Sequence, residues 1–262
     1  MIIIQPSGGL CNRMRVISSA YILAQKKNCK LLVLWKMCDE LNCPFEELFL
    51  PPKEFTIINF KSNFNMKKLF YQFIAKQRFN NTDIEKNKTD GILHNDFFDN
   101  LSSSVYISTW EHFYPAKDYH VFEPTDALKK RITNITDTFG PHCVGVHIRR
   151  TDHTWAIANS KSDEFSVAIR EELKNFPEAK FYIATDDIKE EERLRKEFGH
   201  AILSNTTKTL ARDSVEGMHD ALIDLFCLSL TTKIFGSYYS SFTDIAADMQ
   251  GIEKIVIGKP AT

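Results

Sequence analysis

The chain has 262 residues, 43% of them hydrophobic, and a formal net charge of −1. That balance suits one large globular domain or two small ones and excludes a nucleic-acid binder that relies on a global positive field. Any anion binding has to come from local groups. No run of residues reaches the roughly eighteen apolar positions of a membrane span. The amino-terminal "MIIIQPSGGL" is too short and too poor in basic residues for a signal peptide. The six cysteines (Cys11, Cys29, Cys38, Cys43, Cys143, Cys227) form neither a C-x-x-C pair nor a zinc spacing. Reduced thiols are therefore expected, in a protein that is cytoplasmic, either free or peripheral to the inner membrane. The sequons at Asn80, Asn134 and Asn205 carry no weight without a secretory route. The 20 phenylalanines, many of them between residues 45 and 122, are read as core and as cleft walls, with a partner surface as the competing reading.

In chain order, residues 2–5 read as a strand and "PSGGLCNRM" as a glycine-rich turn. A helix over 12–25 follows, with Val16, Ala20 and Ala24 on one face. "KLLVLW" at 30–35 is a buried strand, which completes a βαβ unit and predicts a parallel sheet. Residues 38–52 suggest a short helix stopped by Pro51 and Pro52. The span 60–100 mixes helical pieces with "NNTDIEKNKTD", expected as a loop. "VYIST" at 105–109 is a strand, 127–136 a helix, and "FGP" at 139–141 a domain boundary. The second half alternates regularly: strands at 143–148, 180–185, 201–204, 233–237 and 253–257, helices at 163–174, 188–198, 214–230 and 241–249. The expected organisation is α/β with two domains, 1–140 and 141–262, the second doubly wound.

Ligands of open parallel sheets bind outside the carboxyl ends of the strands. Four polar groups fall at such ends: "HIRRTD" (147–152), "TDD" (185–187), "GSYYSS" (236–241) and "SGGLCNR" (7–13). Arginine offers a fixed fork of donors for carboxylate or phosphate oxygens. Of the adjacent Arg149 and Arg150, one should face the ligand. The other should turn toward the sheet and meet a carboxylate, either Asp152 or Asp186; a purely structural salt bridge is the competing reading. Ser240 and Ser241 stand at a helix start, where backbone amides favour phosphate, or else simply cap the helix. Asp220 and Asp224 share a helix face in an apolar run. Such a carboxylate would meet a guanine edge, a helix cap or a backbone amide. The G-x-G-x-x-G fingerprint is incomplete and no G-x-x-x-x-G-K-[ST] occurs, which argues against a P-loop enzyme. No metal is expected from the adjacent Asp186–Asp187 pair.

These residues also resemble a known family. "HIRRTD" at 147–152 is similar to the H-x-R-R-x-D signature of the fucosyltransferase superfamily that includes α-1,2-, α-1,6- and nodulation-type enzymes. "GGLCNRM" (8–14), "FYIATDD" (181–187) and "DLFCLSLTTKIFGSYYSSF" (224–242) resemble its other motifs, and "CPFEELF" (43–49) a segment of bacterial members. The resemblance implies a GT-B-like fold of two Rossmann-like domains with a donor cleft between them. It implies inverting, metal-independent transfer of fucose from GDP-fucose to a hydroxyl of a glycan or oligosaccharide acceptor, with no cofactor. Under it, Arg149 contacts the donor diphosphate, His147 and Asp224 hold the nucleoside, and Ser240 reaches the β-phosphate. Gly9 and Asn12 stand in the amino-terminal loop that faces the donor, and Arg150, Asp152 and Ser241 complete the donor set.

The sequence departs from the pattern at Cys11 and Arg13. It also has His153 and Ile157 where α-1,6-type enzymes carry Lys and Glu. The general base therefore does not transfer; Asp163 and Glu164 are the candidates, with Glu111 and His153 behind them. Use of another nucleotide sugar, or a nucleotide-sugar-binding protein without catalysis, are the alternatives. The acceptor, the linkage and the oligomeric state have no signal in the sequence.

Overall fold

The structure is a computed structural model that describes residues 1–62, 64–89, 93–151, 154–206, 209–211 and 213–258. The chain divides into two compact units, Met1–Thr125 with Ala211–Met218, and Asp126–Leu210 with His219–Thr262. The change at 125/126 precedes the "FGP" turn expected as the boundary, so the helix over 126–136 groups with the second unit.

The first unit contains β1 (Ile2–Pro6), α1 (Leu10–Lys26), β2 (Leu31–Lys36), α2 (Phe45–Leu48), β3 (Thr56–Phe60), α3 (Met66–Ile74), β4 (Gln77–Phe79), α4 (Asn81–Asn87), α5 (Asn95–Asp99) and β5 (Val105–Thr109). Its sheet runs β3-β2-β1-β5-β4 and every pairing is parallel. Strands covered on both faces need continuous apolar runs. "III" in β1 and "LLVLW" in β2 supply them, all buried. Phe45, Phe49, Phe98 and Phe122 fill the core around this sheet.

The second unit follows with α6 (Asp126–Thr136), β6 (Cys143–Ile148), α7 (Thr154–Asn159), α8 (Ser162–Asn175), β7 (Lys180–Thr185), α9 (Ile188–Phe198), β8 (Ile202–Leu203), α10 (Val215–Ser229, its first turn through Met218 grouping with the first unit), β9 (Lys233–Ser237), α11 (Ser241–Gln250) and β10 (Glu253–Ile257). The sheet order is β10-β9-β6-β7-β8, again all parallel. Val144, Val146 and Ile148 of β6 pack with Phe165 and Ile169 of α8, Phe181 and Ile183 of β7 and Leu194 of α9. The alternate positions of β6 face α10 and α11: a Cβ on Gly145 would stand 2.8 Å from Leu228 Cδ2.

The elements of the second half lie close to their expected bounds. The middle differs. "NNTDIEKNKTD" was expected as a loop, but its first part is helix α4. Asn80 Oδ1 accepts from Asp83 N at 3.0 Å and Asp83 Oδ2 accepts from Asn80 N at 2.8 Å. This reciprocal capping box satisfies two amides that a polar segment would otherwise give to water. Strands β3 and β4 and helix α7 went unread because they are short and lack a sustained apolar period.

Candidate functional site

Numbered from its own first strand, the second sheet has the order 3-2-1-4-5, so the chain reverses direction of travel between β6 and β9. Such a switch point is where an open α/β sheet leaves a crevice at the carboxyl ends of its strands. The two sequence groups that end β6 and β9, "HIRR" and "GSYYSS", therefore meet there.

Strand alternation separates the two arginines. Arg150 has the parity of Val146 and Ile148 and lies over the Phe165 ring at 5.8 Å. Its Nε and Nη2 donate to Ser162 Oγ at 3.2 and 3.1 Å, and its Nη1 to the Arg149 carbonyl at 3.0 Å. Burial pulls its pKa down, while the charges of Glu190 and Asp186 act the other way. Arg149 has the parity of Gly145 and His147. Its Nε stands 3.9 Å from Asp186 Oδ2, with 22% of the side chain exposed.

The expected carboxylate lock on Arg150 takes a different form. Asp186 accepts from the Arg150 backbone N–H at 2.7 Å and from Thr151 Oγ1 at 2.7 Å, so it fixes the loop through its backbone. Among the described residues, the guanidinium of Arg150 reaches a carboxylate through Ser162, whose hydroxyl donates to Glu190 Oε2 at 2.8 Å. The alternative partner, Asp152, and the reserve base, His153, lie outside the described residues.

Ser237 joins the two strand ends: its Oγ accepts from Arg149 N at 3.0 Å and donates to the His147 carbonyl at 3.3 Å. Tyr239 then takes a left-handed conformation, φ 54, and turns the chain into α11. Gly236 permits the close approach of that helix, since a Cβ there would stand 2.2 Å from Thr243 Cγ2. Thr243 Oγ1 consequently lies 2.8 Å from His147 Nδ1, and the His147 ring stacks on Phe242 at 4.9 Å. Ser240 is the N-cap of α11, but its side chain makes no capping hydrogen bond; its Oγ lies 3.3 Å from His147 Nδ1. The simple capping reading of Ser240 does not hold, and the first-turn amides of α11 are not taken by that hydroxyl. Ser241 is the first helical residue, half-buried.

Asp220 and Asp224 differ in their surroundings. Asp220 accepts from Arg131 Nη2 at 2.5 Å, Asn205 Nδ2 at 3.1 Å and Thr209 N at 2.7 Å, a buried structural node. Asp224 accepts from Tyr182 OH at 2.5 Å. Burial, followed by the Asp224 charge, pushes the Tyr182 phenol well above its usual pKa. Of the candidate bases, Glu164 is exposed and accepts from Lys161 N at 2.9 Å, a helix-capping contact. Asp163 is exposed beside Ser162 at the start of α8. Glu111 is paired with Lys88 at 2.9 Å. Among the described residues, no three His, Cys, Asp or Glu side chains are grouped as metal ligands.

Gly9 and Asn12 belong to the first unit. Gly8, at φ 78, makes the turn after β1, and Gly9 is the N-cap of α1. Arg13, where the family resemblance leads one to expect glutamine, holds this loop. It is fully buried, donates from Nε to the Gly8 carbonyl at 2.8 Å and from Nη2 to Cys38 Sγ at 3.2 Å, and lies over the Trp35 ring at 4.8 Å. The same unit has a polar cavity of about 300 Å3 at the carboxyl ends of β1, β5 and β4, lined in part by Gln5, Gln72, Arg78, Asp83 and Tyr106. Sequence reasoning missed this cavity, as it missed Ser237, Thr243 and Tyr182. Only the position of Ser237 at the end of an apolar strand could have signalled one of them.

No family model and no curated protein sequence matches the chain. Solved structures do. The fucosyltransferase NodZ from Bradyrhizobium superposes with a TM-score of 0.64 at 16% identity, over 94% of this chain and 90% of that one. A mutant of Arabidopsis thaliana FUT1 in complex with GDP gives 0.62 at 16% identity, over 97% and 69%. POFUT1 in complex with GDP-fucose gives 0.56 at 11% identity, over 98% and 97%. The likeness is one of fold: the chain has the GT-B-like α/β architecture of these fucosyltransferase structures, with two parallel-stranded sheets.

Proposed function

We propose that the protein is a glycosyltransferase that moves fucose from GDP-fucose to a glycan hydroxyl, with inversion and without a metal. The observation that carries this reading is the position of Arg149 at the β6/β9 switch point, bonded through its N–H to Ser237 at the end of β9 and standing 3.9 Å from Asp186; β9 leads into a helix whose cap serine makes no capping hydrogen bond. Arginine and helix-start amides are donors suited to a diphosphate. Structures of the same fold bind GDP-fucose and GDP.

In the proposed reaction the acceptor oxygen attacks C1 of fucose as the C1–O bond to the β-phosphate breaks. Negative charge grows on the departing GDP, where the Arg149 guanidinium stabilises it more than in the ground state. Arg150, held over Phe165 and by Ser162, fixes the loop from which Arg149 projects. The acceptor proton passes to a carboxylate. Asp163 is the stronger candidate, because Glu164 is engaged by the Lys161 amide. Within the second unit, His147, Asp224, Ser240, Ser241 and Asp152 complete the proposed donor set, with His147 and Asp224 on the nucleoside side.

One observation favours a second reading, a nucleotide-sugar-binding protein without catalysis. Ile157 stands exposed on α7 where the resemblance expects a glutamate. Calorimetric titration with GDP-fucose, GDP-mannose and a UDP-sugar, followed by assay of donor hydrolysis, tests both. Binding of GDP-fucose with slow hydrolysis supports the transferase, binding without hydrolysis the second reading, and preference for the UDP-sugar sinks the donor assignment.

A further inference from the structure

Helix α3 of the first unit is amphipathic in the opposite sense to a core helix. Met66, Leu69, Phe70 and Phe73 fall at i, i+3, i+4 and i+7 and make one apolar stripe. That stripe faces out: Met66 is 79% exposed, Phe70 57% and Phe73 82%, and Phe64 just before the helix is 88% exposed. The inward side is held by other means. Tyr71 packs on the cluster of Ile3, Leu34, Phe60 and Tyr106, and Gln72 Nε2 donates to Tyr106 OH at 3.0 Å. Arg78 Nε donates to the Gln72 carbonyl at 2.7 Å and satisfies the end of the helix. The helix is thus docked without its apolar stripe.

The sequence that flanks the stripe carries charge of one sign. Residues 55–82 contain five basic side chains (Lys61, Lys67, Lys68, Lys76, Arg78) and no acidic one. Lys61, Lys67, Lys76 and Arg78 are exposed. The next carboxylate, Asp83, is turned into the capping box of α4.

We infer that α3 with Phe64 is a docking surface for an anionic lipid bilayer. The aromatic and methionine side chains enter the boundary between headgroups and acyl chains, and the flanking lysines meet lipid phosphates. One nine-residue helix face offers less than the ~800 Å2 per partner of a stable protein interface, whereas a lipid surface needs no matching shape. No described helix is long and apolar enough to cross a membrane, so α3 lies on the bilayer.

The test is co-sedimentation of the full chain with phosphatidylglycerol–phosphatidylcholine vesicles and with phosphatidylcholine vesicles alone. The expected result is salt-sensitive binding to the anionic vesicles only. It should fall roughly tenfold or more in the Phe70→Ser/Phe73→Ser variant and be lost in Lys67→Glu/Lys76→Glu. All four positions are exposed, and unchanged melting midpoints check that the variants fold. No binding, equal binding to neutral vesicles, or a wild-type dimer that the serine variant dissolves would each overturn the inference.

Discussion

Replacing Asp186 by alanine should loosen the loop that carries both arginines while leaving the sheet beneath it intact. The carboxylate accepts two bonds of 2.7 Å, from Arg150 N and Thr151 Oγ1, and a weaker one of 3.4 Å from Thr151 N. The side chain keeps 19% exposure, so solvent screens these bonds in part. Each short bond is then worth about 1 kcal/mol, against ~1.5–3 kcal/mol for a hydrogen bond to a fully buried charge. The 3.9 Å contact to Arg149 Nε adds well under ~1 kcal/mol. The sum of about 2 kcal/mol lowers the melting midpoint by about 4–8 °C. Under the proposed function the same loop has to be ordered when nucleotide binds, so GDP affinity should fall roughly thirtyfold. Asp186→Asn keeps one acceptor and should recover about half of both effects. Calorimetric titration with GDP and a thermal melt read the two quantities. An alanine variant with unchanged midpoint and unchanged affinity would refute the idea that Asp186 fixes this loop.

Arg13→Ala should destabilise the first unit by about 2–4 kcal/mol, since it opens a buried volume and leaves the Gly8 carbonyl without its donor; a urea midpoint equal to wild type would count against the clamp. Glu172 carries a pH signature. Burial acts to raise its pKa, but the contacts to Lys233 at 2.8 Å and His142 at 2.7 Å together outweigh it and hold it below the ordinary 4.5. Its stabilising effect is therefore fully present above the unfolded-state pKa and lost as pH falls through the lower folded value. The gap in urea midpoint between wild type and Glu172→Gln should narrow as pH falls from about 5 toward 3; a gap independent of pH in that range would contradict the triad.

The legible parts of the second sheet were those in which a run of buried positions matches an apolar run of sequence. β6, β7 and β9 are short runs bounded by polar turns, and their bounds follow from that contrast alone. The three-residue β4 has no such run, and α4 is fixed by a capping box rather than by an apolar face. At the site, strand parity already implied that Arg149 and Arg150 part company. It could not reveal that Asp186 would take backbone amides, because a carboxylate beside an arginine reads as its ion-pair partner in any sequence. The hydroxyls of Ser162, Ser237 and Thr243 were illegible for a related reason. Serine and threonine are common at strand and helix ends, and only three-dimensional proximity tells a brace from a surface group. Phenylalanine misled in the other direction: most fill the core as expected, while Phe64, Phe70 and Phe73 are exposed.

The central claim is that Arg149 stabilises the charge that develops on a departing GDP. The direct measurement is the rate of GDP release from saturating GDP-fucose by wild type and by Arg149→Ala, with thermal melts run on both. Arg149 is partly exposed at a strand end, so the account predicts melting midpoints that agree and a rate lower by ~100–1000-fold in the variant. Near-full turnover by Arg149→Ala would contradict it.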